Sequence, residues 1–105
     1  MDYKLVTLEF HFQPGIIDTF IAGLPALLED TRKHEGFIEI SAHRHHEDTD
    51  KLILVERWES AGAHQRYLQY RIDAGMFDEL AKILVSPPKC DKWESAYMTV
   101  TGAAD

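Results

Sequence analysis

Four side chains on one predicted helix form the strongest candidate site in the sequence. They fall at i, i+3, i+4 and i+7 and so share one helical face, as His64, Tyr67, Leu68 and Arg71. A face that combines an imidazole, a phenol and a guanidinium is more polar than a helix core and suits the wall of a cavity. In such a cavity His64 would be a base or hydrogen-bond donor, and Arg71 would hold an anionic oxygen. Alternatively, the helix is partly buried and Arg71 reaches solvent to pair with a carboxylate.

The histidine-rich segment 43–46 is the second candidate. His43 and His45 share one face of a predicted strand, where either imidazole would polarise a substrate. The pair would hold a metal only if His11 or Glu9 came across the sheet as a third ligand. Because the segment runs into the acidic turn 47–50, an exposed hairpin end is the alternative interpretation. Glu9 and His11 would then lie at a wet interface between two copies of the chain.

An aromatic residue ends the third apolar stretch of the chain. Trp58 shares its alternating parity with Leu54 and Glu56. Its indole either forms a wall that stacks on a flat substrate or anchors the core where a strand meets a helix. Cys90 has no neighbour at a spacing typical of a nucleophile or a metal ligand, so we expect no role for it.

Length and composition limit the function classes. The 105 residues are enough for one domain, and 18 acidic against 11 basic residues give a net charge of −7, which disfavours a nucleic-acid partner. The single cysteine excludes an internal disulfide framework. The longest apolar stretch, Ile16 to Leu28, carries Asp18 and Pro25 and is too short to span a bilayer. These features predict a cytoplasmic globular domain with no membrane partner.

Two periodicities in the sequence predict the strands and helices that carry the candidate residues. Alternation with period two predicts four strands, at Tyr3–Gln13, Phe37–His46, Lys51–Glu59 and Lys92–Thr101. Apolar residues at three- and four-residue steps predict a helix from Ile16 to just before Gly36, one over Ala61–Asp73 with Ser60 as its N-cap, and a short one over Met76–Leu84. Pro25 lies inside the first helix, so we expect a kink or a split there, at a cost of about 3 kcal/mol.

The predicted order β-α-β-β-α-β is the ferredoxin-like arrangement of the α+β class, with helices on one face of a four-stranded antiparallel sheet. The third strand is apolar on both parities, with Leu52 and Leu54 on one side and Ile53 and Val55 on the other. The face without helices would therefore expose an apolar patch. We predict that a second copy of the chain covers it in a two-fold homodimer.

The segment Leu54-Val-Glu-Arg-Trp-Glu-Ser60 before an amphipathic helix resembles the antibiotic biosynthesis monooxygenase family. The likeness extends from about Lys4 to Val100 and includes Pro87-Pro88. It implies one such domain over residues 1–105, assembled as a dimeric α+β barrel. It also implies that the parity of Leu54 and Trp58 faces a pocket between sheet and helices. The implied activity is oxygenation, without a cofactor, of electron-rich aromatics such as quinols or anthrones.

The sequence departs from this family's pattern at one position. Characterised monooxygenases of this type have an asparagine four residues before the tryptophan, where this chain has Leu54, and the chain contains no asparagine. Haem-degrading relatives also use an asparagine in the first strand, with a tryptophan and a histidine in the second helix. Here the corresponding places hold Tyr67 and, near the histidine, Phe77. Haem degradation is disfavoured accordingly.

The sequence thus supports three hypotheses. The first is a monooxygenase without cofactor or metal, with His64, Arg71 and His43 catalytic and with substrate contacts from Trp58, Tyr67, Leu54, Leu68 and His45. The second is a homodimer that binds a small aromatic molecule without converting it. The third is a haem- or metal-binding protein. Glycine-rich phosphate loops are absent from the sequence, which gives no support to a bound nucleotide or flavin.

Overall fold

Four strands and three helices make up the fold of this protein. A computed structural model describes residues 2–97 and 99–103. In chain order the elements are β1 (Leu5–His11), α1 (Ile17–Thr31), β2 (Phe37–Arg44), β3 (Lys51–Trp58), α2 (Ala61–Asp73), α3 (Met76–Ala81) and β4 (Lys89–Trp93). The predicted ferredoxin-like order is confirmed, with α3 as a short addition after the second main helix.

The sheet is antiparallel throughout, in the strand order β2-β3-β1-β4. The two central strands pair Val6 with Glu56 and Leu8 with Leu54. Because side chains alternate across a strand, the even-numbered residues of β1 and β3 all point to one face. All three helices pack on that face. The odd-numbered residues, among them Ile53 and Val55, form the other face, on which no helix of the described chain packs.

Two groups of apolar side chains fill the space between sheet and helices. The larger joins Phe10 and Phe12 of the sheet to Phe20 of α1 and Leu80 of α3. The smaller surrounds Trp58, which is fully buried against Val6 and Ala63. The tryptophan therefore anchors the core at the junction of β3 and α2, which is one of its two predicted roles.

Helix α2 begins where the sequence predicts. The side chain of Ser60 accepts a hydrogen bond from the backbone N–H of Ala63 at 3.1 Å, which makes Ser60 the N-cap. Helix α1 continues through Pro25, so the split, one of the two expected outcomes, does not occur. Pro25 is exposed, so water can hydrate the carbonyl that loses its partner when proline lacks an N–H. No helix in residues 2–97 and 99–103 is long and apolar enough to span a membrane.

The prediction for the last strand was wrong in its position. The strand covers Lys89–Trp93 rather than Lys92–Thr101, and it starts directly after the two prolines that follow α3. Its neighbour β1 begins at Leu5, and Leu5 is paired with Trp93. Past Trp93 the sheet offers no further partner, so the described residues of the predicted strand beyond Trp93 lie outside any strand. Met98, which also belongs to that prediction, lies outside the described residues.

Gly36 lies between α1 and β2, at a point where helix α2 leaves no room for a side chain. Its φ is +84°, and a Cβ there would overlap the Cβ of Ala63. Gly15 has nearly the same φ, +83°, but nothing lies within 4 Å of the place its Cβ would take. Comparison of substitutions at the two glycines therefore separates the cost of a positive φ from the cost of steric overlap.

We predict that Gly36→Ala destabilises the fold more than Gly15→Ala. Both variants incur about 1–2 kcal/mol for a left-handed alanine. Only Gly36→Ala adds the overlap with Ala63, which contributes about 1–3 kcal/mol. Urea unfolding of the two variants beside the wild type measures the difference. Equal losses for the two variants would show that α2 does not pack on Gly36.

Candidate functional site

A cavity of about 420 Å³ lies between the even-numbered face of the sheet and the helices. Its size is within the range of small-molecule sites, roughly 300–1,000 Å³. The apolar part of the wall is drawn from the central strands and all three helices and includes Leu8, Phe10, Leu54, Leu68, Met76 and Phe77. The polar side chains on the wall are few, namely Thr31, Glu56, His64, Tyr67 and Arg71. The wall is therefore apolar with a small number of placed polar groups.

Glu56 lies in the centre of the sheet and is 3% exposed, the only buried carboxylate among residues 2–97 and 99–103. The indole Nε1–H of Trp58 donates to its Oε1 at 3.1 Å. Burial raises the pKa of the Glu56 carboxyl above its ordinary value, because the charged form loses its hydration. The hydrogen bond from Trp58 and the positive charge of Arg71 oppose that rise. The protonated form of Glu56 is thus favoured relative to an exposed glutamate.

His64 enters the wall from α2 and is 2% exposed. Its Nδ1 is hydrogen-bonded to the hydroxyl of Tyr3 at 2.8 Å. Burial, followed by the positive charge of Lys92, lowers the pKa of His64 to about 4. The imidazole is therefore neutral near pH 7, and in the cavity it acts as a hydrogen-bonding group rather than as a cation.

The guanidinium of Arg71 joins α2 to the end of α1. Its Nε donates to the hydroxyl of Tyr67 at 2.9 Å, and Nη2 donates to Thr31 Oγ1 at 3.1 Å and to the carbonyl of Leu27 at 3.3 Å. Its Nη1 lies 3.3 Å from Oδ2 of Asp30. Both sequence-based alternatives therefore hold in part, because Arg71 lines the cavity and also pairs with a carboxylate.

The proton of the Tyr67 hydroxyl is committed within this network. The hydroxyl of Thr31 donates to the carbonyl of Leu27 at 3.1 Å, so in its 2.9 Å bond with Tyr67 it is the acceptor. Tyr67 thus donates to Thr31 and accepts from Arg71. Its ring also packs on Trp58, with a centroid distance of 4.9 Å. Tyr67 is held as a rigid part of the wall.

The structure brings most of the predicted site residues to one place. Five of them line the cavity, namely His64, Tyr67, Leu68, Arg71 and Leu54. Trp58 is the exception among the residues near the cavity, because its indole lies behind Tyr67 and is not part of the lining. Trp58 contacts the site indirectly, through Glu56 and Tyr67.

His43 and His45 lie away from this cavity. His43 Nε2 is hydrogen-bonded to the hydroxyl of Ser41 at 2.9 Å, on the exposed part of the edge strand β2. His45 Nδ1 accepts the backbone N–H groups of Glu47 and Asp48, at 3.0 and 2.9 Å, and so shapes the hairpin turn. The described part of the chain has no group of three or more His, Cys, Asp or Glu side chains placed to hold a metal.

Sequence reasoning did not select Glu56 or Thr31. For Glu56 a signal was available, since its parity in β3 matches that of Leu54 and Trp58 and places a carboxylate on the buried side. Thr31 carried no such signal, because its contact with Arg71 depends on how α1 and α2 cross. The polar part of the site is therefore partly a product of helix packing.

Comparison with known proteins adds independent evidence on this fold. The model of the antibiotic biosynthesis monooxygenase family matches residues 5–72. No curated protein sequence matches the chain. Many solved structures are similar in fold, among them the following three. A conserved Methanosarcina mazei protein has a TM-score of 0.77 and 20% identity, covering 90% of this chain and 93% of that one.

A Nitrosomonas europaea protein of unknown function has a TM-score of 0.77 and 17% identity, covering 98% of each chain. A Streptomyces coelicolor monooxygenase, solved in complex with the ligand nanaomycin D, has a TM-score of 0.74 and 17% identity over 96% of this chain and 94% of that one. At these identities the structures establish the fold alone. The family match, however, spans well over half of the residues, and the chain belongs to the antibiotic biosynthesis monooxygenase family.

Proposed function

We propose that this protein is a cofactor-independent monooxygenase that oxidises a small electron-rich aromatic, such as a quinol or an anthrone, in the cavity between sheet and helices. One observation carries the proposal. An apolar hollow of about 420 Å³ holds a few buried polar groups, Glu56, His64 and Arg71, on an otherwise apolar wall. Membership of the family supports it, as does the fold shared with a monooxygenase that binds nanaomycin D.

Oxygenation of an aromatic substrate without a cofactor places three requirements on the cavity. It must exclude water, so that a reactive carbanion meets oxygen and not solvent, and the apolar wall does so. It must hold a flat ring, for which Tyr67 and Leu68 offer contact. It must also favour negative charge on the substrate oxygen, and the charge of Arg71 does this. Its guanidinium is 8% exposed and is held by three hydrogen-bonding partners and an ion pair with Asp30, so it needs little reorganisation.

For an anthrone the reaction balances without any further reductant. The substrate loses a proton, and its anion passes electrons to molecular oxygen and forms a carbon–oxygen bond with it. Loss of water from the resulting hydroperoxide breaks the oxygen–oxygen bond and leaves a new carbonyl. One anthrone and one oxygen molecule thus give one anthraquinone and one water. The carbon is oxidised from a methylene to a ketone, and oxygen is the only oxidant.

The proposed assembly is a homodimer. Ile53 and Val55 lie half-buried on the sheet face that carries no helix in the described chain. A second copy would cover them and remove an apolar patch from water. Sedimentation equilibrium tests this: Val55→Lys should give monomers, while Ala22→Lys on the exposed side of α1 should leave the dimer intact. A wild type that sediments only as a monomer contradicts the assembly.

A second candidate is a protein that shelters an aromatic ligand without converting it. The observation that favours it is the closed network in which Arg71, Tyr67 and Thr31 satisfy one another. That network leaves few polar atoms free to act on a substrate. The third hypothesis, haem or metal binding, gains no such support from the described residues. The cytoplasmic location inferred from the sequence stays a prediction.

Oxygen consumption distinguishes the enzyme from the binder. With menadiol or anthrone we expect uptake faster than autoxidation, and we expect Leu68→Phe, which fills the cavity, to lower it at least about tenfold, or about 1.4 kcal/mol in the barrier. The matched control is Gln69→Phe, which adds the same ring on the exposed side of α2. Uptake no faster than autoxidation with every substrate tried contradicts the enzyme, and a retained but unaltered ligand favours the binder.

The lowered pKa of His64 makes stability depend on pH in a defined window. Between the unfolded value of 6.5 and the folded value of about 4, the unfolded chain binds a proton that the folded protein does not. The free energy of unfolding therefore falls as pH drops through this window, by at most about 3 kcal/mol at pH 4, and this contribution is fully retained above pH 6.5.

Urea unfolding from pH 7 to 4.5 measures this dependence. His64→Gln cannot titrate and retains a hydrogen-bonding partner for Tyr3, so we expect it to lose part of the pH slope of the wild type. His46→Gln, at an exposed position, is the control and should keep the slope. If His64→Gln has the same slope as the wild type, the imidazole is not held neutral by burial.

A further inference from the structure

Glu56 is a buried titratable group that the chemistry above does not use. It makes no ion pair with any residue of the described chain. A buried carboxylate without a paired cation is costly, and such groups persist mainly where they have a function. Its place at the centre of the sheet, on the wall of the cavity, makes that cavity the location of the function.

The two oxygens of Glu56 differ in their surroundings. Oε1 accepts the indole N–H of Trp58 at 3.1 Å. Trp58 is itself fully buried against Val6 and Ala63, so it fixes the rotamer of the carboxylate. Oε2 has no hydrogen-bond partner among the described residues. Every fully buried side-chain nitrogen or oxygen of those residues does have a partner, so Oε2 is not fully buried. Oε2 is therefore the oxygen open to the cavity, with acceptor capacity free for a ligand.

The rest of the wall near Glu56 offers no competing oxygen acceptor that is free in the same way, and the imidazole of His64 is already bonded to Tyr3 through Nδ1. In the flanking strands its neighbours are Val6 and Ile40, which are apolar. The hydroxyls of Thr31 and Tyr67 are already committed to each other and to Arg71. A ligand that brings a hydrogen-bond donor into this cavity therefore meets Oε2 of Glu56 as its partner.

We propose that Glu56 is the general base of the reaction, which binds a hydroxyl of the aromatic substrate through Oε2 and removes its proton. The substrate class is thereby narrowed to hydroxylated aromatics, including the hydroxyl tautomer of an anthrone. The inference rests on the proposed function for its catalytic part. The binding part, recognition of an aromatic hydroxyl, stands on the geometry alone.

Burial in the cavity also determines which of the two candidate bases, Glu56 or His64, has the more suitable pKa. It raises the pKa of Glu56 and lowers that of His64 to about 4, which reverses the usual order of a carboxylate and an imidazole. A base is more effective as its pKa approaches the working pH. The other charged or titratable groups that face these two are Arg71 from α2, Cys90 and Lys92 from β4, and Tyr3, whose hydroxyl is bonded to His64. Arg71 partly offsets the rise at Glu56 and also stabilises the anion formed on the substrate.

The step balances with no group beyond those named. The substrate O–H bond breaks, its proton forms an O–H bond on Oε2, and its electron pair stays on the aromatic anion. For the hydroxyl tautomer of an anthrone, the ring carbon opposite the oxygen bonds to molecular oxygen and reduces it, and the proton on Glu56 passes to the peroxide oxygen. Water is then lost as the C–H bond of that carbon and the oxygen–oxygen bond break, which leaves a new carbonyl and Glu56 as a carboxylate.

The catalytic test is Glu56→Gln. The amide keeps the shape of the side chain and an oxygen for the Trp58 N–H, but it cannot take a proton. We expect kcat for menadiol or anthrone oxidation to fall by at least about 100-fold, and the rise of the wild-type rate with pH through the Glu56 titration to disappear. Glu59→Gln, at an exposed position just beyond β3, should leave kcat unchanged. Unchanged kcat and pH profile in Glu56→Gln would overturn the proposal.

A binding test separates this inference from the proposed function. Tryptophan fluorescence can compare 2-hydroxyanthraquinone, whose hydroxyl has no internal hydrogen-bond acceptor, with anthraquinone, and we expect the wild type to bind the hydroxylated ligand at least about tenfold more tightly. In Glu56→Met, which lacks the acceptor, the preference should vanish. If the wild type shows this preference but consumes no oxygen, the enzyme hypothesis fails while the hydroxyl site stands. If it consumes oxygen but the preference is absent or survives in Glu56→Met, the assignment of Glu56 is overturned and the enzyme hypothesis stands.

Discussion

Removal of water beneath the helix layer determines the behaviour of every polar group in the cavity. One carboxylate, one imidazole and one guanidinium are each less than a tenth exposed there. Burial penalises the charged forms of the carboxylate and the imidazole, which is why the pKa of Glu56 is raised and that of His64 is lowered. The guanidinium of Arg71 is hydrogen-bonded on several sides.

The fold creates this environment by filling one part of the interlayer space and not the other. Trp58 closes the junction between β3 and α2, and from there its N–H orients Glu56 while its ring supports Tyr67. Leu54 makes the neighbouring wall apolar. Glu56, two residues along and on the same face, is the polar side chain that this strand contributes to the wall. The site therefore combines a rigid aromatic support with a carboxylate whose Oε2 is a free acceptor.

The parts of the fold that follow from side-chain alternation were predictable, and the parts that depend on pairing or crossing were not. Alternation in β3 put Leu54, Glu56 and Trp58 on one face, and the resemblance to the family implied that this face lies beneath the helices. It could not locate β4, because the pattern continues past Trp93 and only the start of β1 at Leu5 ends the pairing. Likewise, the helical spacing grouped His64 with Arg71, but the bonds from Arg71 to Thr31 need the packing of α1 against α2.

A crystal structure of the protein with 2-hydroxyanthraquinone tests the central claim most directly. The account predicts the ring system in the cavity between sheet and helices, with the ligand hydroxyl at about 2.5–3.0 Å from Oε2 of Glu56 and the Trp58 N–H still on Oε1. A ligand seated on the open face of the sheet would contradict it. So would a cavity that closes on itself around Glu56 and admits no ligand.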